Sequence, residues 1–261
     1  MKDAKMKLPK TAAAAQLLLA ARKSGAPIPS LPEEYMPVDG AEAYEIQEYV
    51  AEALGPVGGW KVGAKGPGMP PSCASLPAAL MYRSRASLSA HAYGMRGIEA
   101  EIAVRLDRDL PPRDEPYSVD EVMASVGSIH PAIEIVTSRF SAQADPLAGL
   151  ADSLSNGGFV YGEGRSTQLA IDQTTQAVEL YFDDRKVAAA VGGNPAGDIW
   201  PLLAWLANHV AEWCDGLRAG QIITTGSCTG LLLADPGTRI RAVFPGLGEV
   251  ELAFDQAAPQ T

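Results

Sequence analysis

Two glutamates separated by a single residue, inside an otherwise apolar segment, constrain this chain more than any other feature. They are Glu99 and Glu101, and the surrounding residues 97–104 are rich in Ile, Ala and Val. This composition, with a glycine at the start, predicts a β-strand. Side chains alternate between the faces of a strand, so both carboxylates point to one side while the intervening apolar residues pack on the other.

A third glutamate, Glu134, lies in a second apolar run, Pro131-Ala132-Ile133-Glu134-Ile135-Val136. A lone buried carboxylate is costly without a partner, and neighbouring carboxylates repel unless positive charge lies between them. A hard divalent cation such as Mg²⁺ satisfies three such groups, because it prefers oxygen ligands. The residues alone leave an alternative open, in which the acids form a solvated face paired with Arg or Lys.

Charge excludes some classes of function. The chain has 261 residues, 47% of them hydrophobic, and a formal net charge of −10. An acidic chain of this kind is not expected to bind nucleic acid, which requires a basic surface, and it is weakly disfavoured at anionic membranes. No stretch approaches the length of a membrane span.

Cysteine usage and the N-terminus bear on location. Three scattered cysteines, Cys73, Cys214 and Cys228, give no disulfide framework or zinc spacing, which favours reduced thiols in a cytoplasmic protein. The lysine-rich start followed by an Ala- and Leu-rich run superficially resembles a signal peptide. Gln16 interrupts that run and Arg22-Lys23 follows it, so an amphipathic helix from about Thr11 is the preferred interpretation.

The pattern along the chain predicts an α+β fold with a helical N-terminal portion and a mixed, β-rich body. Helices are predicted at residues 11–24, 40–54, 119–126 and from 200 to about 214. Strands are predicted near 60–64, 79–82, 97–106, 130–137, 159–161, 177–182, 186–191, 222–225, 239–244 and 249–254. The Gly-, Pro- and Ser-rich residues 65–77 are predicted to form a loop, and 141–151 a loop or weak helix. The predicted division is a helical segment, 1–58, and a catalytic domain, 59–261.

Two further segments offer groups to a ligand. Lys61 lies in a predicted strand between Trp60 and Val62, where its amine either reaches water or serves a site. Thr225-Gly226-Ser227 follows a strand and offers hydroxyls and backbone N–H groups to an anion such as a carboxylate. An ordinary capped turn explains the second segment equally well.

Three more polar residues are candidates. His130 has an even offset from Glu134 and therefore shares its strand face, as an acid/base or a partner of the ligands. Arg139 follows the Glu134 strand, and Asp152 precedes the glycine pair at 157–158. Each of these two can orient a substrate or simply cap a loop.

Taken together, these segments resemble the fumarylacetoacetate hydrolase superfamily, and within it the 2-keto-4-pentenoate hydratase and 4-oxalocrotonate decarboxylase branch. The resemblance runs in consistent order from about residue 40 to the C-terminus. The matching pieces are Gly59-Trp60-Lys61-Val62-Gly63, Ile98-Glu99-Ala100-Glu101-Ile102-Ala103, Pro131-Ala132-Ile133-Glu134-Ile135-Val136, Ser138-Arg139, Gly193-Asn194-Pro195, Trp205-Leu206-Ala207-Asn208, Leu217-Arg218-Ala219-Gly220 and Thr225-Gly226-Ser227.

The resemblance implies a β-roll body that binds Mg²⁺ or Mn²⁺ through Glu99, Glu101 and Glu134, with Lys61 lining the pocket. It also implies a homo-oligomer. Two departures fall where substrate groups are expected. Residues 72–77 contain no acid, and Asp152-Ser153 stands where the branch tends to have an Asp-Asn pair.

The function implied is a metal-dependent hydratase of a 2-hydroxy-2,4-dienoate or a related 2-oxo acid, acting through a metal-stabilised enolate in the catabolism of aromatic compounds. In this hypothesis Lys61 and His130 are catalytic, while Arg139, Asp152 and residues 225–227 bind substrate. The alternatives are decarboxylation, C–C hydrolysis of an acylpyruvate, and a non-catalytic partner subunit.

Overall fold

The structure is a computed structural model, and it describes residues 9–166 and 172–256. Its α-helices are α1 (Lys10–Ser24), α2 (Gly40–Leu54), α3 (Val119–Ser125), α4 (Pro146–Ala151) and α5 (Trp200–Ala211). Its strands are β1 (Val57–Gly63), β2 (Ser72–Pro77), β3 (Met81–Arg83), β4 (Ala86–Leu88), β5 (Gly97–Leu106), β6 (Val126–Val136), β7 (Asn156–Tyr161), β8 (Arg165–Ser166), β9 (Ala177–Phe182), β10 (Arg185–Val191), β11 (Ile222–Ser227), β12 (Leu232–Leu233), β13 (Arg239–Phe244) and β14 (Gly248–Phe254).

Two mixed sheets carry the body of the described chain. The larger has the strand order β2-β1-β11-β5-β6-β7-β3, with β12 beside β5 and β8 beside β6. The smaller has the order β10-β9-β13-β14-β4. Apolar side chains from both sheets and from α5 form one continuous core, which includes Ile98, Ile133, Leu180 and Leu203. The predicted α+β class is confirmed.

The N-terminal helices have a smaller core of their own. Helices α1, α2 and α4 pack through a second apolar cluster that includes Leu18, Ile46 and Phe140. Helix α4 comes from well inside the body of the chain, so the helical layer is not built from the first 58 residues alone. The domain boundary at residue 58 stays a prediction. Within the described residues, every helix is too short or too polar to cross a membrane.

Local signals located several elements correctly. Helices α1 and α2 lie within one residue of their predicted bounds. Helix α3 begins with a capping box, in which the Ser118 side chain accepts from Glu121 N and the Glu121 carboxylate accepts from Ser118 N.

The predicted loop at 65–77 is wrong for its second half, because Ser72–Pro77 forms β2 and pairs antiparallel with β1. Pairing with β1 orders this segment as a strand, which its Ser- and Pro-containing sequence did not indicate.

Strand register brings the glutamate strands together. Strands β5 and β6 are antiparallel neighbours, and Glu99 lies directly opposite Glu134. On the other side of β5 runs β11, where Ser227 lies opposite Glu101. Strand β1 is parallel to β11, with Lys61 next to Thr224. Three adjacent strand pairings therefore deliver the lysine and all three glutamates to one face of the larger sheet.

The contact between β1 and β11 depends on a residue without a side chain. A Cβ atom on Gly59 would lie 2.1 Å from the carbonyl oxygen of Ile222. We expect Gly59→Ala to lower the free energy of unfolding by about 2–3 kcal/mol, because the two backbones must separate. Gly63→Ala, in the same strand, is the matched control, since its Cβ would have no neighbour within 4 Å. Urea unfolding of both variants measures the difference, and equal stabilities would contradict the prediction.

Candidate metal centre and active site

The three glutamates predicted from the sequence converge. Each of Glu99, Glu101 and Glu134 offers a carboxylate oxygen, and these oxygens all lie within 4.8 Å of one another. Glu101 and Glu134 are each only 1% exposed. Oxygen ligands around one hard cation lie roughly 3–4 Å apart when metal–oxygen distances are about 2.1 Å. The cluster is therefore close to the spacing that a single divalent ion needs.

Lys61 supplies positive charge at the centre. Its Nζ donates to Glu134 Oε1 at 2.6 Å and to the carbonyl oxygen of Leu154 at 3.2 Å. One ammonium cannot neutralise three carboxylates. The alternative of a fully paired acidic face, left open by the sequence, leaves an excess of negative charge in a largely buried site.

Neighbouring strands hold the carboxylates in place. Asn156, at the start of β7, donates through Nδ2 to Glu134 Oε1 at 2.9 Å. The Thr224 hydroxyl on β11 donates to Glu101 Oε2, and Gly226 N approaches the same oxygen at 3.4 Å. These donors fix one oxygen of Glu101 and one of Glu134.

Other polar atoms at the centre have no partner. Glu134 Oε2 and Ser227 Oγ are buried and form no hydrogen bond in the described part of the chain. A buried carboxylate oxygen without a donor is costly unless something else binds it. Together with the all-oxygen donor set, this orphaned oxygen fits a divalent cation held by the three glutamates.

Burial and mutual repulsion raise the pKa values of Glu101 and Glu99. Burial raises the pKa of Glu101 to about 8, with further contributions from the charges of Glu134 and Glu99. Burial also raises the pKa of Glu99, again assisted by Glu134. For Lys61, burial alone would lower the pKa, but the attraction of Glu134 and Glu101 outweighs it and the net shift is upward. The lysine is therefore a cation at neutral pH.

A cavity of about 520 Å³ opens onto this cluster. Its polar lining, beyond the glutamates and Lys61, comes from Lys65, Ser72, Asn194, Gly226 and Ser227. Its apolar lining comes from Val62, Ala64, Met69, Pro70, Leu154 and Pro195. The described residues that line it include no Asp, His or Cys. A small acid with a short hydrocarbon tail fits a cavity of this size and mixed polarity.

Some predicted site residues lie elsewhere. His130 shares the strand face of Glu134 as predicted, but Ala132, packed with Phe159, lies between them. The ring of His130 bonds to the Ser128 hydroxyl and to the carbonyl oxygen of Gly162, both at 2.9 Å, and burial lowers its pKa. Because a carbonyl can only accept, Nδ1 carries the proton of a neutral ring. This placement favours a structural role over the predicted catalytic one.

Arg139, Asp152 and Thr225 do not line the cavity either. Arg139 and Asp152 are each 3% exposed and form an ion pair with one another. The Thr225 hydroxyl donates to the carbonyl oxygen of Ile102 at 2.8 Å, inside the sheet. These placements favour support of the site over the direct substrate contact that the sequence predicts. Gly226 and Ser227, in contrast, face the cavity as expected.

Sequence reasoning missed four groups at the site. Thr224 and Asn156 bind the glutamates, the carbonyl of Leu154 binds Lys61, and Asn194 lines the cavity. Thr224 lies two residues before Gly226 in the same strand, so strand alternation could have found it. A backbone carbonyl such as that of Leu154 carries no sequence signal.

Comparisons with known proteins find a matching family model and several similar proteins. The family model described as "Fumarylacetoacetate (FAA) hydrolase C-terminal" matches residues 54–254. The 2-keto-4-pentenoate hydratase 2 of Dechloromonas aromatica (strain RCB) is 31% identical over 256 residues, which cover 93% of this chain and 96% of that protein. The 2-hydroxyhexa-2,4-dienoate hydratase of Comamonas testosteroni is 27% identical over 189 residues, 71% of each chain.

Among solved structures, the 4-oxalocrotonate decarboxylase from Pseudomonas putida G7, complexed with magnesium and adipate, superposes with a TM-score of 0.84. The two are 25% identical, and the match covers 95% of this chain and 99% of that one.

The raised pKa of Glu101 predicts a coupling between protons, metal and stability. Without metal, the folded protein keeps a proton on Glu101 up to about pH 8, whereas the unfolded chain releases it near 4.5. The metal-free protein should therefore lose stability as the pH rises from about 5 to 8. Mg²⁺ should oppose this loss and release protons on binding, because carboxylates bind metal when deprotonated.

Urea unfolding in EDTA and in Mg²⁺, at pH 5.5 and 8.5, measures the coupling. Glu101→Gln is the control, since its neutral amide resembles the protonated acid and should remove this part of the pH dependence in EDTA. Identical pH profiles for the wild type and this variant would contradict the assignment of the raised pKa to Glu101.

Proposed function

Because the chain belongs to the fumarylacetoacetate hydrolase family, we propose that it is a metal-dependent hydratase of 2-hydroxy-2,4-dienoates or the related 2-oxo acids, as arise in the catabolism of aromatic compounds. The observation that carries this proposal is the meeting of three carboxylates and one lysine at the end of a small cavity. The hydratases that match most of the chain support the same assignment.

Glu99, Glu101 and Glu134 would hold the cation. When bound, a divalent cation supplies a Lewis acid for the C1 carboxylate and the C2 oxygen of such a substrate. The orphaned Glu134 Oε2 is one ligand atom that the described contacts leave available, and no hydrogen bond among the described residues engages Glu101 Oε1 either. Thr224 and Asn156 each donate to one oxygen of Glu101 and Glu134 respectively, which would hold these two ligands in place.

Lys61 is the proposed general acid and base of the site. Hydration requires ketonisation, which moves a proton from the C2 hydroxyl to C5, followed by addition of water at C4 with a proton to C3. Lys61 stabilises the negative charge that develops at C2 and is the lining ammonium beside the glutamates. A bound cation would offset the glutamate charges that raise the pKa of Lys61, and the ammonium would then be positioned to donate and recover a proton. The hydroxyl of Ser227, which has no partner among the described residues, is available to a substrate carboxylate or to the attacking water.

Decarboxylation is the second candidate, and two observations favour it. The structural neighbour complexed with magnesium and adipate is a decarboxylase. Lys65 is exposed at the cavity and forms no hydrogen bond or ion pair within the described residues, so it can meet a second carboxylate on the substrate tail. C–C hydrolysis is less well supported, because no described histidine lines the cavity to activate water. A non-catalytic subunit is also less well supported, because the charged cluster is intact.

We also propose an identity for the metal, a location for the protein and an oligomeric state. All-carboxylate ligation favours Mg²⁺ or Mn²⁺ over softer metals. The three cysteines are free, which agrees with a cytoplasmic location. We also propose a homo-oligomer and no nucleic-acid or membrane partner, and light scattering on the purified protein tests the oligomeric state.

Turnover of 2-hydroxypenta-2,4-dienoate with Mg²⁺ tests the hydratase directly. We expect EDTA to abolish activity and added Mg²⁺ to restore it. Lys61→Met should lower kcat by about 10²–10⁴-fold, because it removes the proton donor and the charge at C2. Lys23→Met, on the exposed end of α1, is the control. Absence of turnover across a panel of 2-oxo dienoates in the Mg²⁺-loaded wild type would sink the proposal.

Product analysis by NMR separates hydration from decarboxylation. We expect the monocarboxylic dienoate to give the 4-hydroxy-2-oxo acid, with a new proton signal at C4 and no loss of carbon. If a matched dicarboxylic substrate instead releases CO₂, and Lys65→Met raises its KM about 10-fold while sparing the monoacid, the second candidate is correct.

A further inference from the structure

The segment between α4 and β7 has an unusual backbone. Ser153, Leu154 and Ser155 have φ values of +50°, +51° and +61° in succession. Residues with a Cβ atom rarely adopt this left-handed conformation, and glycine or asparagine is the usual choice. A run of three such residues persists only where the surrounding structure holds it, and such runs occur mainly at functional sites.

One guanidinium holds both ends of this left-handed turn. Arg139 donates through Nε to the Asp152 carboxylate, through Nη2 to the Asp152 carbonyl oxygen at 2.7 Å, and through Nη1 to the Asn156 carbonyl oxygen at 2.8 Å. The planar, forked shape of arginine makes three such bonds possible at once. Arg22 of α1 donates to the same Asn156 oxygen at 2.8 Å, so the helical layer braces the turn as well.

The left-handed turn presents two groups to the metal centre. Its middle carbonyl, that of Leu154, accepts from Lys61 Nζ at 3.2 Å. The side chain of Asn156, directly after the turn, donates to Glu134 Oε1 at 2.9 Å. Since Lys61 and Glu134 also bind one another at 2.6 Å, the turn contacts both members of the charged pair.

We propose that Arg139 is a positioning residue, which acts through the left-handed turn to set the place of Lys61 Nζ relative to the metal ligand Glu134. This inference rests on the proposed function. It reassigns the buried pair of Arg139 and Asp152 from substrate contact to control of the catalytic lysine. An extended or right-handed path through 153–155 would turn the Leu154 carbonyl away from Lys61.

Two substitutions test the backbone directly. Ser155→Val places a β-branched residue at a left-handed position, and Ser155→Asn places there a residue that tolerates it. The Ser155 side chain does not line the cavity. Arg139→Lys keeps the charge but lacks the three spaced nitrogens that bond to Asp152 and Asn156, so it tests the bridge independently. Arg85→Val is a remote control, because Arg85 also has a left-handed φ of +72° and lies away from the site.

We expect Ser155→Val and Arg139→Lys to lower kcat about 10- to 100-fold with little change in KM, as small displacements of catalytic groups do. Ser155→Asn should recover most of the loss. Arg85→Val should lower the thermal unfolding temperature without this effect on kcat. Isothermal titration of the Mg²⁺-loaded protein with oxalate gives a readout besides turnover. Oxalate is a planar dianion that resembles the enolate rather than the ground-state substrate. Its affinity should therefore fall with kcat and not with KM, and we expect about fivefold weaker oxalate binding in the two damaged variants.

The inference is overturned if Ser155→Val and Arg139→Lys lose stability as Arg85→Val does while kcat and oxalate affinity stay at wild-type values. It is also overturned if Ser155→Asn is as impaired as Ser155→Val. A wild type that binds Mg²⁺ and oxalate but turns over no dienoate defeats the proposed function instead, and oxalate affinity still decides the role of the turn.

Discussion

The repulsion among three carboxylates on adjacent strands is the constraint on which the rest of this site depends. Glu99 and Glu134 face one another across β5 and β6, and Glu101 lies one pleat further along. Folding brings these groups out of water and into each other's field, at a cost that one lysine only partly offsets. The three carboxylates thus fit the proposed cation, which would offset their remaining charge.

Rigid strands make that arrangement reproducible. The three glutamates, which are the proposed metal ligands, come from β5 and β6. Lys61 comes from β1 and the supporting hydroxyl of Thr224 from β11, and all four strands belong to one sheet. Hydrogen-bonded strands hold side chains more exactly than loops do. The exception is the left-handed turn at 153–155, where an irregular backbone is held by one buried ion pair and places the Leu154 carbonyl beside Lys61.

The same centre is compatible with more than one reaction. A polarised 2-oxo acid can add water, lose CO₂ or undergo C–C cleavage, and the outcome depends on the groups around its tail. Here the described lining beyond the metal centre is mostly small or apolar, with Lys65 as its further cation and Ser72 on β2, in the region where an acid was expected. In the proposed function, selectivity rests on a few residues outside the glutamate trio, whereas stabilisation of the enolate rests on the trio and Lys61.

The sequence alone determined the features that depend on neighbours in the chain. Alternation placed Glu99 and Glu101 on one face, with Ile98, Ala100 and Ile102 buried on the other, as the structure has them. The cap of α3 and the bounds of α1 and α2 were also readable, because local hydrogen bonds and glycine stops decide them.

Only the tertiary structure decided the rest. The register that sets Glu99 against Glu134 and the contacts of Thr224 and Asn156 join segments far apart in sequence. Residues 72–77 form a strand through their pairing with β1, which their own composition does not predict. Arg139 and Asp152 lie away from the predicted substrate position for the same reason, because their partners are backbone carbonyls and each other. Every residue has a backbone carbonyl, so its residue type does not indicate which carbonyl will bind a side chain. Strand pairing depends on the packing of the whole core, so no single stretch of sequence predicts it.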